Sequence, residues 1–430
     1  MLKLYSKENN LKIKEEIFKI IEDFSFDYKN TFGKKINLSQ KLNIINILSN
    51  VNNQIENQIT NTKLALFMLM KSTFSIKTKE KLNKLKEILN ENFCDYKDGE
   101  PPLKVININD NFKLFSKTTK LNIEINNKNV LSYKNNIYFH KNLSELLDII
   151  HFSLNNKIGL IIEGMKGQGK KTAINYIANL LGYNVLNIYL NESTKIEDIL
   201  GSFAFENENN EFKMVNVKTD FIKALENKVY TIIIFHNINR ANLSIIEQIS
   251  NFYRKKRDIY NTNLNKIDLQ YNYNFFISIF NSENSISGKD YLPQSLIQNS
   301  IYFRMENNAI KYLKEIVRYK LKNYSFKKEY ELFSNSFLSV LMFDKEILKE
   351  SSDLSLSLNE IDKFIKLRKE TFEKLDINII LGFIFIFRYS NNKIQEKIKN
   401  ILKFGYANSL KFYYDSNNII IETLINNNCI

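Results

Sequence analysis

One stretch constrains the fold of this chain more than any other: Ile158 to Leu181, which reads IGLIIEGMKGQGKKTAINYIANLL. Ile158, Leu160, Ile161 and Ile162 form a short apolar run without alternation, the pattern of a parallel strand buried on both faces. Gly164, Gly167 and Gly169 then let the backbone turn its N–H groups inward, and Lys170 closes the turn where an ammonium meets the outer phosphates of a nucleotide. The amphipathic helix that follows points the positive end of its dipole at the same place, so amides, dipole and lysine converge on one anion. The spacing predicts a phosphate cradle of Gly164, Met165, Lys166, Gly167, Gln168, Gly169, Lys170, Lys171 and Thr172. It departs from the usual pattern at one position. Ser or Thr directly after the lysine would hold Mg²⁺, whereas Lys171 stands there and the hydroxyl comes one residue later, leaving Thr172 as a weak metal candidate.

The segments around this stretch set the architecture. After the loop helix, Asn184 to Leu190 reads as a second strand, Ser193 to Gly201 as a short capped helix ended by glycine, and Phe212 to Val217 as a hairpin arm. Thr219 caps a helix through Leu225, Val229 to Phe235 is the most apolar strand, and a helix from Leu243 to Arg254 follows. Asn274 to Phe280 and Ser300 to Met305 add further strands. Strands alternating with helices predict a parallel sheet covered on both faces, with ligands beyond the carboxyl ends of its strands, where the loop, His236 and Asn281 emerge.

On either side the period changes. Met1 to about Phe93 is helix-like, with Ile13, Ile17, Ile20 and Ile21 at helical spacing, then Leu42, Ile45 and Leu48, then Leu64, Phe67 and Met68. Pro101 and Pro102 beside Gly99 mark a boundary. Leu103 to Phe139 alternates, with Ile106 and Ile108, Leu114, Leu121 to Ile125, and Ile137 with Phe139 as short antiparallel strands. Leu143, Leu146, Leu147, Ile150 and Leu154 make a helix that leads into the loop strand, and His140 and His151 belong to strand and helix packing. From Asn308 onward helical spacing returns without strands: Ile310 to Tyr319, Leu332 to Phe343, Leu358 to Leu367 and Ile379 to Arg388. The expected organisation is a helical N-terminal region (1–102), a short β-rich linker segment (103–140), an α/β domain with the phosphate loop (141–306), and a helical lid with a C-terminal tail (307–430).

Composition narrows the partners. No apolar run approaches the ~18 residues of a membrane span, and Met1 to Asn10 carries charged and polar residues too early for a signal peptide, which predicts a soluble intracellular protein without membrane contact. Cys94 and Cys429 lie far apart, and His140, His151 and His236 form no ligand cluster, so disulfides and structural zinc are not expected. A net charge of +14 attracts phosphates, yet the same abundance of Lys, Asn, Ile and Tyr without Trp reads as a bias toward A/T-rich codons. Direct nucleic-acid contact therefore has weak support, and Arg254 to Arg257 reads as the solvated end of a helix.

The order of parts resembles an AAA ATPase, and more narrowly the midasin and dynein-related branch. The residues carrying the likeness are IEGMKGQGKKTA at the loop, LNESTKIEDILGS from Leu190, FKMVNVKTDFIKALENK from Phe212, IIIFHNINRANLSIIEQIS from Ile232, FFISIFNSEN from Phe275, LPQSLIQN from Leu292, LSLNEIDKFIKL from Leu356 and IFIFRYSNNKIQEKI from Ile384. The match runs from about Asn135 to Lys403. It implies a P-loop AAA core with a helical lid, ATP as cofactor, ring assembly with other AAA modules of the same or another chain, and remodelling of large-subunit pre-ribosomal particles. A nuclear location follows from the family, and a cytoplasmic one without it.

Carried over residue by residue, Gly164, Gly169 and Lys170 match the family's phosphate loop, its Walker A motif, and Asn281 matches the residue that senses the γ-phosphate. His236 and Asn237 stand where the family's Walker B motif keeps Asp-Glu. The Asp would help hold Mg²⁺ and the Glu would polarise the attacking water; neutral imidazole suits a hard ion poorly, and a carboxamide is no base. Asn299 falls where a neighbour-directed arginine finger would be, and Asn359 near the second-sensor arginine. A general base is worth ~10²–10⁴ in rate and an arginine finger ~10³–10⁵, so losing both brings hydrolysis close to background while binding survives. A second ammonium at Lys171 would repel Mg²⁺, since even unit charges at ~4 Å interact by about 4 kcal/mol at an effective dielectric near 20. Lys170 and Lys171, with Lys166 at the rim, would replace much of the metal's charge, which makes Mg²⁺ doubtful as a cofactor. The expected function is an ATP-binding AAA module, weak or inactive in hydrolysis. The alternatives are an active AAA motor remodelling a protein or ribonucleoprotein complex, and a nucleotide-free interaction scaffold.

Overall fold

The computed structural model describes residues 15–32, 41, 84–85, 87–89, 97–108, 111–118, 121–126, 137–208, 211–254, 270, 272–281, 292–297, 299–305, 310–321, 333, 335–337, 339–340, 359–370, 380–386 and 392–402. The helical readings around Leu42 to Leu48 and Leu64 to Met68, both cysteines and residues 255–257 lie outside them. The chain forms two compact units: residues 1–133, 139–165 and 169–306, and residues 134–138, 166–168 and 307–430.

In the first unit, α1 (Glu15–Phe32) buries Phe18, Ile21, Phe24 and Tyr28, one face at helical spacing. Strands β1 (Leu103–Ile108), β2 (Asn111–Ser116) and β3 (Asn122–Glu124) form an antiparallel sheet in that order. The strand expected over Ile137 to Phe139 does not form: these residues lie in no strand, the Phe139 carbonyl accepts from the Gly99 N–H at 2.7 Å, and its ring packs against Tyr176. Helix α2 (Lys141–Asn155) is buried from Asn142 to Leu154. Its His151 Nε2 meets the Leu114 carbonyl at 2.9 Å, and its Asp148 accepts from Ser116 Oγ at 2.8 Å, so α2 is fixed to β2 by polar contacts in a dry interface. His140 lies at the N-cap of α2, not in a strand.

Strand β4 (Gly159–Glu163), helix α3 (Lys170–Leu181) and strand β5 (Asn184–Tyr189) follow. The expected helix from Ser193 is shorter than its residues suggest: α4 spans only Ile196–Leu200. Asn191 Oδ1 accepts from the Ser193 N–H and from the Ser193 and Thr194 hydroxyls, so those residues close a polar turn, and Asp198 takes the Lys195 N–H at 2.8 Å. Strands β6 (Ser202–Glu208) and β7 (Glu211–Val217) pair as an antiparallel hairpin. Helix α5 (Asp220–Glu226) is capped by the Thr219 hydroxyl, which accepts the Ile222 N–H. Strand β8 (Thr231–His236), a 3₁₀ turn (Ile238–Arg240), α6 (Leu243–Tyr253), β9 (Asn274–Phe280), α7 (Gln294–Ile297) and β10 (Ser300–Arg304) complete the unit.

The five parallel strands lie in the order β10-β4-β9-β8-β5. Every residue of β4, β8 and β9 is buried, as their unbroken apolar runs require, while β5 is an edge and only half-buried. One face carries Ile161, Ile233, Phe235, Phe276 and Phe280 against Phe221, Leu225, Ile249 and Phe252 from α5 and α6. The alternate residues of β4, β8 and β9 face the other way, where α2 packs on β4 and on α3. Gly159 is required by close approach, since a Cβ there would lie 2.0 Å from the Tyr253 ring.

In the second unit, α8 (Ile310–Leu321), α9 (Asn359–Glu370) and α10 (Asn392–Leu402) surround aromatic residues, with Phe333 and Phe364 stacked at 4.1 Å and Phe385 beside Phe333 at 5.7 Å. Lys320 joins α8 to α9 through Asp362 at 2.6 Å. The expected helix at Ile379 to Arg388 contains a π turn over Gly382–Ile386, whose slower rotation brings Ile384, Phe385 and Ile386 onto one buried arc.

Candidate functional site

The site is built at the carboxyl ends of β4, β9 and β8, where the parallel sheet gathers the predicted residues. Gly164 follows β4 and its N–H donates to the Phe280 carbonyl at 3.3 Å, so the loop begins against the end of β9. Gly169 is the N-cap of α3 with φ of 89°, a left-handed conformation that a side chain resists, while a Cβ would meet nothing closer than Leu143 at 3.6 Å. Backbone conformation, not space, requires glycine there. Within the loop Met165 and Gly167 are half-buried, Gln168 is buried and Lys166 is exposed.

Lys170 is the centre of the cradle. It is buried at 8% exposure, and its ammonium donates to the carbonyls of Gly164 and Met165, the latter at 2.7 Å, and to Asn281 Oδ1 at 3.0 Å. A buried ammonium at a helix N-terminus, ringed by acceptors it can exchange for phosphate oxygens, fits the outer phosphates of a nucleotide. Asn281, the expected γ-phosphate sensor, is thereby joined to Lys170.

The other half of the site is of different chemistry. Lys171 and Thr172 are both exposed on the first turn of α3. Lys171 Nζ lies 3.2 Å from the Tyr189 hydroxyl and 5.9 Å from the centre of its ring. The Tyr189 ring stacks on His236 at 4.3 Å and 18°, and His236 Nε2 donates to Asn187 Oδ1 at 2.8 Å. Burial, and then the Lys171 charge, push His236 down to about 4, so its imidazole is neutral near pH 7. Asn237 has φ of 56°, a left-handed position that asparagine tolerates; its N–H donates to the Ile279 carbonyl, and its carbonyl accepts from Arg240. Asn299 is turned onto its own chain, donating to the Ser295 carbonyl at 2.7 Å. Asn359 opens α9 in the other unit.

Residues 159–298 match the family model described as AAA domain, dynein-related subfamily. That stretch is a dynein-related AAA domain. A midasin of Giardia intestinalis is 28% identical over 141 residues, which cover 32% of this chain and 3% of that protein. The chain therefore spans a small fraction of that relative. The crystal structure of a candidate ATPase from Cytophaga hutchinsonii aligns over 61% of this chain and 87% of its own, at 13% identity and a TM-score of 0.32. The five-stranded parallel sheet agrees with a P-loop AAA core, and an AAA domain implies binding of a nucleotide of the ATP class. Such domains associate with others in rings. No helix among the described residues is long and apolar enough to cross a membrane.

The AAA domain's own residues answer differently for nucleotide and for metal. The loop, Lys170 and Asn281 fit the phosphates. Mg²⁺ prefers oxygen ligands, and the places where the resemblance implies them hold an ammonium at Lys171 and a neutral imidazole at His236. No group of three or more His, Cys, Asp or Glu that could hold a metal occurs among the described residues. The nearby carboxylate of Glu163 has both oxygens engaged, Oε2 accepting from the Tyr302 hydroxyl at 2.6 Å and Oε1 paired with Arg304 at 3.2 Å. Asn187, Tyr189, Glu163, Tyr302 and Arg304 were not singled out by the sequence pattern. Only the pairing of β5 with β8, which sets Tyr189 opposite His236, brings the first two into the site.

Proposed function

We propose that this chain is an ATP-binding AAA module that hydrolyses ATP weakly or not at all and acts as a structural or regulatory member of an AAA ring. The observation that carries the reading is the contrast between Lys170, buried on Gly164, Met165 and Asn281, and His236, a neutral imidazole bound to Asn187 where a carboxylate should be. The first arrangement binds phosphate. The second offers no strong base, because a group protonating near 4 gains little from accepting a proton at neutral pH. Asn299, bound to Ser295, supplies no cation to a neighbouring module. Resemblance to midasins supports a place for the ring in large-subunit ribosome assembly in the nucleus, with a pre-ribosomal particle as partner.

The full chain should show a thermal midpoint raised by ATP or ADP, together with phosphate release far below ~1 s⁻¹, the low end of ordinary enzyme turnover. A midpoint unmoved by either nucleotide would favour the scaffold, and turnover at or above that rate would favour a working motor.

A further inference from the structure

We propose that the site takes its nucleotide as the metal-free triphosphate, with the Lys171 ammonium, positioned by Tyr189 and His236, standing in for the divalent ion. This rests on the nucleotide-binding reading above. The ammonium is held in place by an assembly, since Tyr189 offers it a hydroxyl at 3.2 Å. That ring is stacked on His236 at 4.3 Å, and His236 is tethered to Asn187 at 2.8 Å. The parallel register of β5 with β8 fixes the assembly at the strand ends, because Tyr189 lies opposite His236. Lys171 thus reaches from the first turn of α3 to the side chain at the end of β5 that stacks on His236.

Charge decides the outcome. Lys170 and Lys171 carry two positive charges on one turn of helix, which suits a triphosphate stripped of its metal. A divalent ion entering with the nucleotide would meet an ammonium and an imidazole that presents no negative charge. Lys171 and Tyr189 are exposed, the tyrosine at 62%, so the ammonium, with three donors, can take a phosphate oxygen while keeping the phenol and without unpacking the core. Magnesium, which complexes free ATP in solution, then competes with the protein for the same oxygens. Tyr189 is a positioning residue in this scheme, acting through Lys171.

Isothermal titration of the full chain with ATP, once in EDTA and once in excess MgCl₂, tests this. The wild type should bind at least as tightly in EDTA. Lys171→Thr, which restores the family's hydroxyl, should weaken binding in EDTA by about tenfold, the size of one charge-assisted hydrogen bond, and reduce or invert the preference for EDTA. Lys171→Arg should keep metal-free binding. Tyr189→Phe keeps the ring stack and should shift the EDTA-to-Mg²⁺ affinity ratio in the same direction as Lys171→Thr, which a purely structural role would leave unchanged. Wild-type binding that is tenfold or more tighter with Mg²⁺, or Lys171→Thr without effect in EDTA, would overturn the proposal and leave nucleotide binding standing. Absence of binding in both buffers would overturn both.

Discussion

The two halves of the site differ in what surrounds a lysine. On the β4 side Lys170 is buried among carbonyls and Asn281, at the start of a helix whose dipole favours anions. On the β5–β8 side Lys171 is exposed beside the hydroxyl of Tyr189, whose ring stacks on a neutral histidine. The first half holds charge that a ligand brings. At the second, the positions where the AAA resemblance implies carboxylates hold the His236 imidazole and the Asn237 carboxamide. Under the proposed function, binding and turnover rest on separate strands of one sheet, so that one can be lost while the other is kept.

Restoring the second half should break the contrast most strongly. A chain carrying Lys171→Thr, His236→Asp and Asn237→Glu together regains a hydroxyl, a metal-binding acid and a base. Its steady-state phosphate release should rise by ~10²–10⁴, the usual worth of a general base. No rise would place the limit on turnover at Asn299, where the resemblance implies an arginine finger. Removing the first half should be the next largest effect. Lys170→Ala deletes a buried charge-assisted contact worth about 2–3 kcal/mol, so ATP affinity by titration should fall roughly a hundredfold. Retention of affinity would shift the weight of binding onto Lys171.

Acid should produce the smallest effect and separates the histidines. Burial holds His140, His151 and His236 at about 4, below an ordinary value of 6.5. The unfolded chain takes up protons first, so the stability these imidazoles contribute is complete above about pH 6.5 and is lost as pH falls toward 4. The thermal midpoint should drop between about pH 6.5 and 4, and His236→Asn should reduce that drop. An unchanged drop would locate the whole effect at His140 and His151 on the α2 side.

Local signals made the parallel core legible. The unbroken apolar runs at Leu160 to Ile162, Thr231 to Phe235 and Phe275 to Phe280 can be stable only where both faces are covered, and the glycines before Lys170 have few other uses. Signals that depend on partners misled. Ile137 and Phe139 alternate like a strand, but the Phe139 ring packs on Tyr176 and the segment joins no sheet among the described residues. Ser193 and Thr194 are good helix caps, yet Asn191 captures their hydroxyls two and three residues away. Asn237 looked like a lost acid, and it also occupies a left-handed turn that most residues avoid.

By itself the sequence determined the glycine-rich loop between strand and helix and the alternation that builds the sheet, because each depends on residue type at fixed spacing along the chain; it also set His236 and Asn237 at the end of the apolar strand. Only the tertiary structure decided what surrounds them. Tyr189 and Asn187 carry no motif, and they reach His236 because parallel pairing sets β5 beside β8 in one register. Whether Lys171 faces solvent or a partner also lies beyond helical periodicity. It is fixed by the edge strand that ends in a tyrosine within reach of the ammonium.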